Sequence, residues 1–176
     1  MILRYSLTSS DRLIADDKAE NRLKNRATAP VHVNPMITLE AILAPGNDVQ
    51  RWSINDGATV VGYLANAVQG GPEECNCEQV GEPNVDTHLE LVADLADASG
   101  PKVFIMEFTP RWKAKNPGWT TQKMLALKGK KIQVTGWMFF DQDHQNESEN
   151  TKTPGANVWR ATAWEIHPVT AFKVLS

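Results

Sequence analysis

Five strand-like stretches, with one helical stretch between the third and the fourth, constrain this chain more than any other feature. Residues 58–69 read as a long first strand, with Gly62 marking a bend inside it. Residues 87–93 alternate apolar and polar side chains and give the second strand. Residues 102–109 give the third and 130–140 the fourth. The fifth is expected over 158–166, with 169–175 continuing it or adding a short sixth. The segment from Pro110 is irregular and then helical, with the helix expected between residues 117 and 128. Three strands, a short helix and two further strands is the order of an OB-like five-stranded barrel. A mainly β fold of that kind is expected over 58–176.

Residues 1–57 read as an N-terminal helical arm and packing segment. Within it, 9–27 carries a weak apolar stripe, Leu13, Ala15, Ala19, Leu23 and Ala27, behind serine caps. Residues 36–44 have apolar side chains at helical spacing between Pro35 and Pro45-Gly46, which predicts a helix of one or two turns. The chain has 176 residues, enough for one domain with an ordinary core. No run approaches the ~18 apolar residues of a membrane helix. The N-terminus lacks the basic and apolar regions of a signal peptide. A soluble, cytoplasmic protein is the default expectation, although a leader removed upstream would leave no trace.

Net charge is −3, yet the charge is segregated. Between residues 101 and 131 stand Lys102, Arg111, Lys113, Lys115, Lys123, Lys128, Lys130 and Lys131 against the single acid Glu107. Trp112 and Trp119 lie among them. Cations that track phosphates beside rings that stack bases make a single-stranded nucleic-acid surface. Lys102, Arg111, Trp112, Lys113, Lys115, Trp119, Lys130 and Lys131 are therefore the candidate interface of a binding module. Solvated lysines around core tryptophans are the plainer explanation.

The histidines offer a different chemistry. His88 falls on the second strand, His144 just beyond the fourth and His167 at the end of the fifth; His32 is in the N-terminal segment. With Glu90, Glu107 and Glu165 they are metal-ligand or acid–base types, but no local ligand spacing or HExxH occurs. Any site must be assembled in space. Cys75 and Cys77 are too close for the usual zinc spacing, although both are candidate ligands with His88, His144 and His167. No GxSxG, Walker or GxGxxG motif is present. A nuclease-like arrangement of Arg111, Glu107, Asp141 and Asp143 does not follow the order of that motif. The enzyme alternative is thus a metal-dependent hydrolase or metalloprotein built on His88, Glu107, His144 and His167. A structural subunit binding protein partners is the third reading. No organic cofactor is implied.

Several strings resemble an uncharacterised bacterial protein family. They are Lys24-Asn25-Arg26 with Pro30, Gly70-Gly71-Pro72-Glu73-Glu74-Cys75-Asn76-Cys77, Asp86-Thr87-His88-Leu89-Glu90-Leu91-Val92, Glu107-Phe108-Thr109-Pro110-Arg111-Trp112, Val134 to Asp141 with His144, and Trp159 to Thr170. The resemblance spans roughly residues 22–174. It implies a lineage and carries no reaction with it.

Overall fold

The computed structural model describes residues 18–49 and 51–176. Five strands, β1 (Gly57–Gln69), β2 (Thr87–Val92), β3 (Phe104–Phe108), β4 (Lys131–Phe140) and β5 (Trp164–Val174), form a closed barrel in the order β1-β2-β3-β5-β4. β3 and β5 run parallel and every other pair is antiparallel. The expected five-stranded barrel with helix between the third and fourth strands is therefore present.

Two local details differ from expectation. Two short helices, not one, link β3 to β4: α3 (Pro110–Lys115) and α4 (Thr121–Leu125). Pro110 at the start of α3 supplies the fixed backbone angle that suits a first helical turn. The fifth strand begins at Trp164, not at 158, because the β4–β5 ladder ends at the Phe140–Trp164 pair. Residues before it bond elsewhere: the Ala161 amide donates to Val103 O at 2.9 Å and the Glu149 amide to Arg160 O at 3.0 Å. The continuation through 169–174 belongs to that same strand.

The N-terminal segment is integral to the barrel. Helix α1 covers residues 18–24 among the described residues; the first half of the expected 9–27 helix lies outside them. Helix α2 (Leu39–Leu43) is capped by Thr38, whose hydroxyl accepts from the Ala41 amide. Ile37, Leu39 and Ile42 join the barrel core with Leu64, Leu89, Leu91, Phe104, Met106, Phe108, Val134, Trp164 and Ile166. No helix among the described residues is long and apolar enough to cross a membrane.

Period two along each strand then sorts the side chains. Phe104, Met106 and Phe108 point into the core, and Glu107 lies on the outer wall. Every residue of β3 is nonetheless buried. Ile105 packs with Ala65, Val92 and Val103, and Glu107 is covered by other segments. Gly136 sits where β4 crosses β5; a Cβ there would lie 2.3 Å from Pro168 O.

Trp137 and Trp164, which stand on β4 and β5 among apolar neighbours, differ in burial. Trp164 is buried and its indole donates to Asp48 O at 2.9 Å. Trp137 is only half-buried, because the alternation of β4 turns it outward. Its indole donates to Thr28 O at 2.8 Å under the Arg26 guanidinium, 4.4 Å from the ring centre. Trp164→Ala should cost ~3–5 kcal/mol. Trp137→Ala should cost only ~1–2 kcal/mol, the scale of one hydrogen bond and a cation–π contact. Urea denaturation of the two variants measures the difference, and equal losses would contradict it.

Candidate metal centre

The outer wall of β2, β3 and β5 carries a row of ionisable side chains. His88 on β2 is the direct cross-strand partner of Glu107 on β3. Met106 on β3 stands beside Ile166 on β5, so one step further Glu107 meets His167. The row is His88–Glu107–His167, with Asp86 and Glu165 two residues before each histidine and therefore on the same face. Three of the expected residues thus converge.

The distances are short. His88 Nε2 is 3.0 Å from Glu107 Oε1. His167 Nδ1 is 3.1 Å from Glu107 Oε2 and 3.5 Å from Glu165 Oε2, and its Nε2 is 3.2 Å from Asp86 Oδ2. Yet His88 Nε2, both nitrogens of His167, Glu107 Oε2 and Asp86 Oδ2 complete no hydrogen bond. They approach one another without the alignment an N–H donor needs. Glu73, from the β1–β2 loop, joins His88 and Glu107 with donor atoms all within 4.8 Å of one another. Asp86, Glu107 and His167 form a second such group.

Two loops and α1 close over this wall. Lys24 on α1 reaches Glu73 Oε2 at 3.0 Å, and Asn25 donates to Cys75 O at 2.8 Å. Asn76 donates to Asp86 Oδ1 at 2.9 Å. From the β4–β5 loop, Arg160 is buried and bonds Glu165 Oε1 at 2.8 Å, Asp141 Oδ2 at 3.2 Å and Thr162 O at 2.8 Å. These segments leave a cleft of about 450 Å³, with Glu73, His88 and Glu107 in its lining and His144 and Trp159 beside them.

Burial and charge set the protonation. Burial pushes the Glu107 carboxyl well above the usual carboxylate range. Burial works the same way on Asp86, but the neighbouring His167 outweighs it and holds Asp86 at about 2. Burial also opposes the charged form of Glu165, and Arg160 with His167 overrides it, so that group stays low. His167 is disfavoured as a cation by burial, but Glu107 and Asp86 raise it well above its ordinary value. His88 is lowered, chiefly by burial.

The other expected ligands stand apart. His144 Nδ1 lies 2.5 Å from Asp141 Oδ2, which fixes the ring beside the cleft and outside both donor groups. Cys75 faces the cleft and donates its thiol to Glu73 Oε2 at 3.2 Å; burial first, then Glu73, pushes that thiol up. Cys77 is exposed, on a left-handed residue with φ of 55°. Neither cysteine belongs to a donor group. His32 is exposed, and Glu90 accepts from Asn66 at 3.3 Å. Asp141 serves Arg160, while Asp143 is exposed at the cleft and Arg111 is exposed on α3. The nuclease-like grouping is not assembled.

The basic segment is only partly a surface. Lys102, Arg111, Lys115, Lys130 and Lys131 are exposed, as are Lys123 and Lys128. Trp112 is buried and donates to Arg26 O at 2.9 Å. Lys113 is buried too: its ammonium donates to Val85 O and to Thr87 Oγ1, which pins the start of β2 next to Asp86. Trp119 stacks on Phe108, centroids 4.2 Å apart, and packs against the core. Lys115 bonds Ala27 O at 2.8 Å over the Trp112 ring, and Lys102 bonds Asp97. The rings expected to stack bases are used for packing.

No protein-family model matches the chain, and no curated protein matches it.

Asp141 raises the His144 pKa above its ordinary value through a hydrogen bond, against the opposing pull of burial. The stability this gives is complete below about pH 6.5, the unfolded value, and is lost as pH rises through the folded one. The His144 ring signal in an NMR titration should move at a pH above 6.5, and Asp141→Asn should return it toward that value. An unchanged midpoint would show that the pair does not form.

Proposed function

We propose that the chain is a metal-dependent protein of hydrolytic type, with a divalent cation held by His88, Glu107 and Glu73 at the floor of the cleft. One observation carries this reading. His88 Nε2 and Glu107 Oε1 are 3.0 Å apart, yet the nitrogen makes no hydrogen bond. Two ligands of one ion stand on neighbouring corners of a coordination shell. With metal–ligand bonds of about 2.0–2.1 Å that edge is ~2.9–3.4 Å, and the lone pairs aim at the ion and not at each other. An ordinary buried ion pair would be aligned.

The donor set is one nitrogen and two carboxylates, which suits Zn²⁺, Mn²⁺ or Fe²⁺ better than Ca²⁺. Three protein ligands leave a position facing the cleft, the arrangement of catalytic sites. A bound ion there lowers the pKa of its water and polarises an ester or phosphoryl oxygen. Lys24 and Glu73 orient each other above the floor. The location also suits an OB-fold, whose ligands bind over strands two and three between the β1–β2 and β4–β5 loops. The strings that resemble a bacterial protein family supply Glu73, Asp86, His88, Glu107, Asp141, Arg160, Glu165 and His167.

Dialysed protein titrated with Zn²⁺ or Mn²⁺ by calorimetry should bind the ion tightly, and His88→Ala should weaken binding by about 100-fold or more. Absence of saturable binding to the native chain would end this reading.

Single-stranded nucleic acid held by the exposed cations of segment 102–131 is the second reading, supported by the exposure of Arg111, Lys123, Lys128 and Lys130. With Trp112 buried and Trp119 half-buried against Phe108, such binding rests mainly on charge. A fluorescent oligonucleotide should then bind weakly at about 50 mM salt and be released by about 200 mM. No binding at the lower salt removes it.

A further inference from the structure

We propose that the centre is dinuclear: a second divalent cation sits between Asp86, Glu107 and His167, and Glu107 bridges the two ions. The inference rests on the metal reading above and extends it to a site beneath the cleft floor. Glu107 is shared by both donor groups, and its two oxygens face opposite ways. Oε1 faces His88 at 3.0 Å and Oε2 faces His167 at 3.1 Å. A carboxylate turned this way links two ions, and pairs about 3.5–4 Å apart are a recurrent hydrolytic arrangement.

The second group has its own evidence of a missing partner. Asp86 and His167 are fully buried, and Glu107 is 4% exposed. Asn76 satisfies Asp86 Oδ1, which leaves Asp86 Oδ2 without a hydrogen bond. Glu107 Oε2 and both nitrogens of His167 are also unsatisfied. Such atoms cost free energy when buried without a partner. Here Glu107 Oε2 lies 3.1 Å from His167 Nδ1 and Asp86 Oδ2 lies 3.2 Å from Nε2, beside Glu165 and Phe139. An ion takes one imidazole nitrogen: the 3.2 Å between Nε2 and Asp86 Oδ2 matches the edge of a coordination shell, with a Glu107 oxygen in the same donor group, and Nδ1 is left to Glu165.

The surroundings supply what ligands of a buried ion need. Arg160 holds Glu165 at 2.8 Å, and Glu165 stands 3.5 Å from His167 Nδ1 as an outer carboxylate for the imidazole. Asn76 orients Asp86 in the same way. Lys113 pins Val85 and Thr87 on either side of Asp86, so the carboxylate cannot swing out.

The experiment is the stoichiometry of the native chain, by calorimetry and elemental analysis with Zn²⁺, joined to electron paramagnetic resonance of the Mn²⁺-loaded protein. About two equivalents, with an exchange-coupled Mn²⁺ spectrum, are expected. Asp86→Asn should retain about one equivalent and lose the coupling, and Glu107→Gln should lose coupling and weaken both sites. One equivalent at saturation, with the spectrum of isolated Mn²⁺, overturns the second site and leaves the first. Two equivalents without coupling also overturn it, because a carboxylate bridge would be absent. No binding at all overturns both sites. The native-chain measurements decide the question even if a variant fails to fold.

Discussion

Arg160 is a guanidinium almost wholly withdrawn from water, and the layout of the outer wall answers to it. An unpaired charge at such a depth costs several kcal/mol, so the fold must bring acceptors to it. Asp141 and Glu165 supply them from the end of β4 and the start of β5, and the Thr162 and Trp164 carbonyls accept as well. The chain around Arg160 bonds within its own loop and to Val103 O, and the strand begins only at Trp164. Glu165, held by Arg160, then stands beside His167. Glu107 shares the imidazole Nδ1 with Glu165, and Asp86 faces Nε2. Pairing the first buried charge sets the positions of the rest.

A row of charges on an outer wall has to be covered or solvated. Here cover comes from three pieces of chain that are distant in sequence: α1, the loop ahead of β2 and the loop ahead of β5. Their contacts are polar and specific, as in Lys24 with Glu73, Asn25 with Cys75 O and Asn76 with Asp86. The cover is incomplete over His88, whose side chain keeps 30% of its exposure. That opening leaves His88 accessible from the cleft, while His167 and Asp86 beneath it are closed off.

The basic stretch from Lys102 to Lys131 shows why charge counted along a sequence is a weak guide to a surface. Lysine carries a long apolar stem and snorkels, so it serves packing as readily as solvation. Lys113 spends its ammonium on Val85 O and Thr87, and Lys115 on Ala27 O. Trp112 and Trp119 are consumed by the arm and by Phe108. Helical periodicity over six residues is too short to show that α3 turns Trp112 and Lys113 inward together.

The sequence by itself determined the barrel. Strand-like runs separated by turn residues, and a helical break after the third, leave few ways to bury alternate faces, and a closed sheet is the one that abolishes edges. It also held part of the site in view: His88, Glu107, Glu165 and His167 as chemistry-bearing types. Asp86 was missed, although the Asp-x-His spacing puts it on one face with His88, as Glu-x-His does Glu165 with His167. Only the tertiary structure decided which strands are neighbours. The parallel meeting of β3 and β5 places Glu107 between two histidines 79 positions apart in the chain. It decided as well that Glu73 joins them while Cys75, Cys77 and His144 do not. Ladder register and loop closure are set by long-range pairing, which no local spacing encodes.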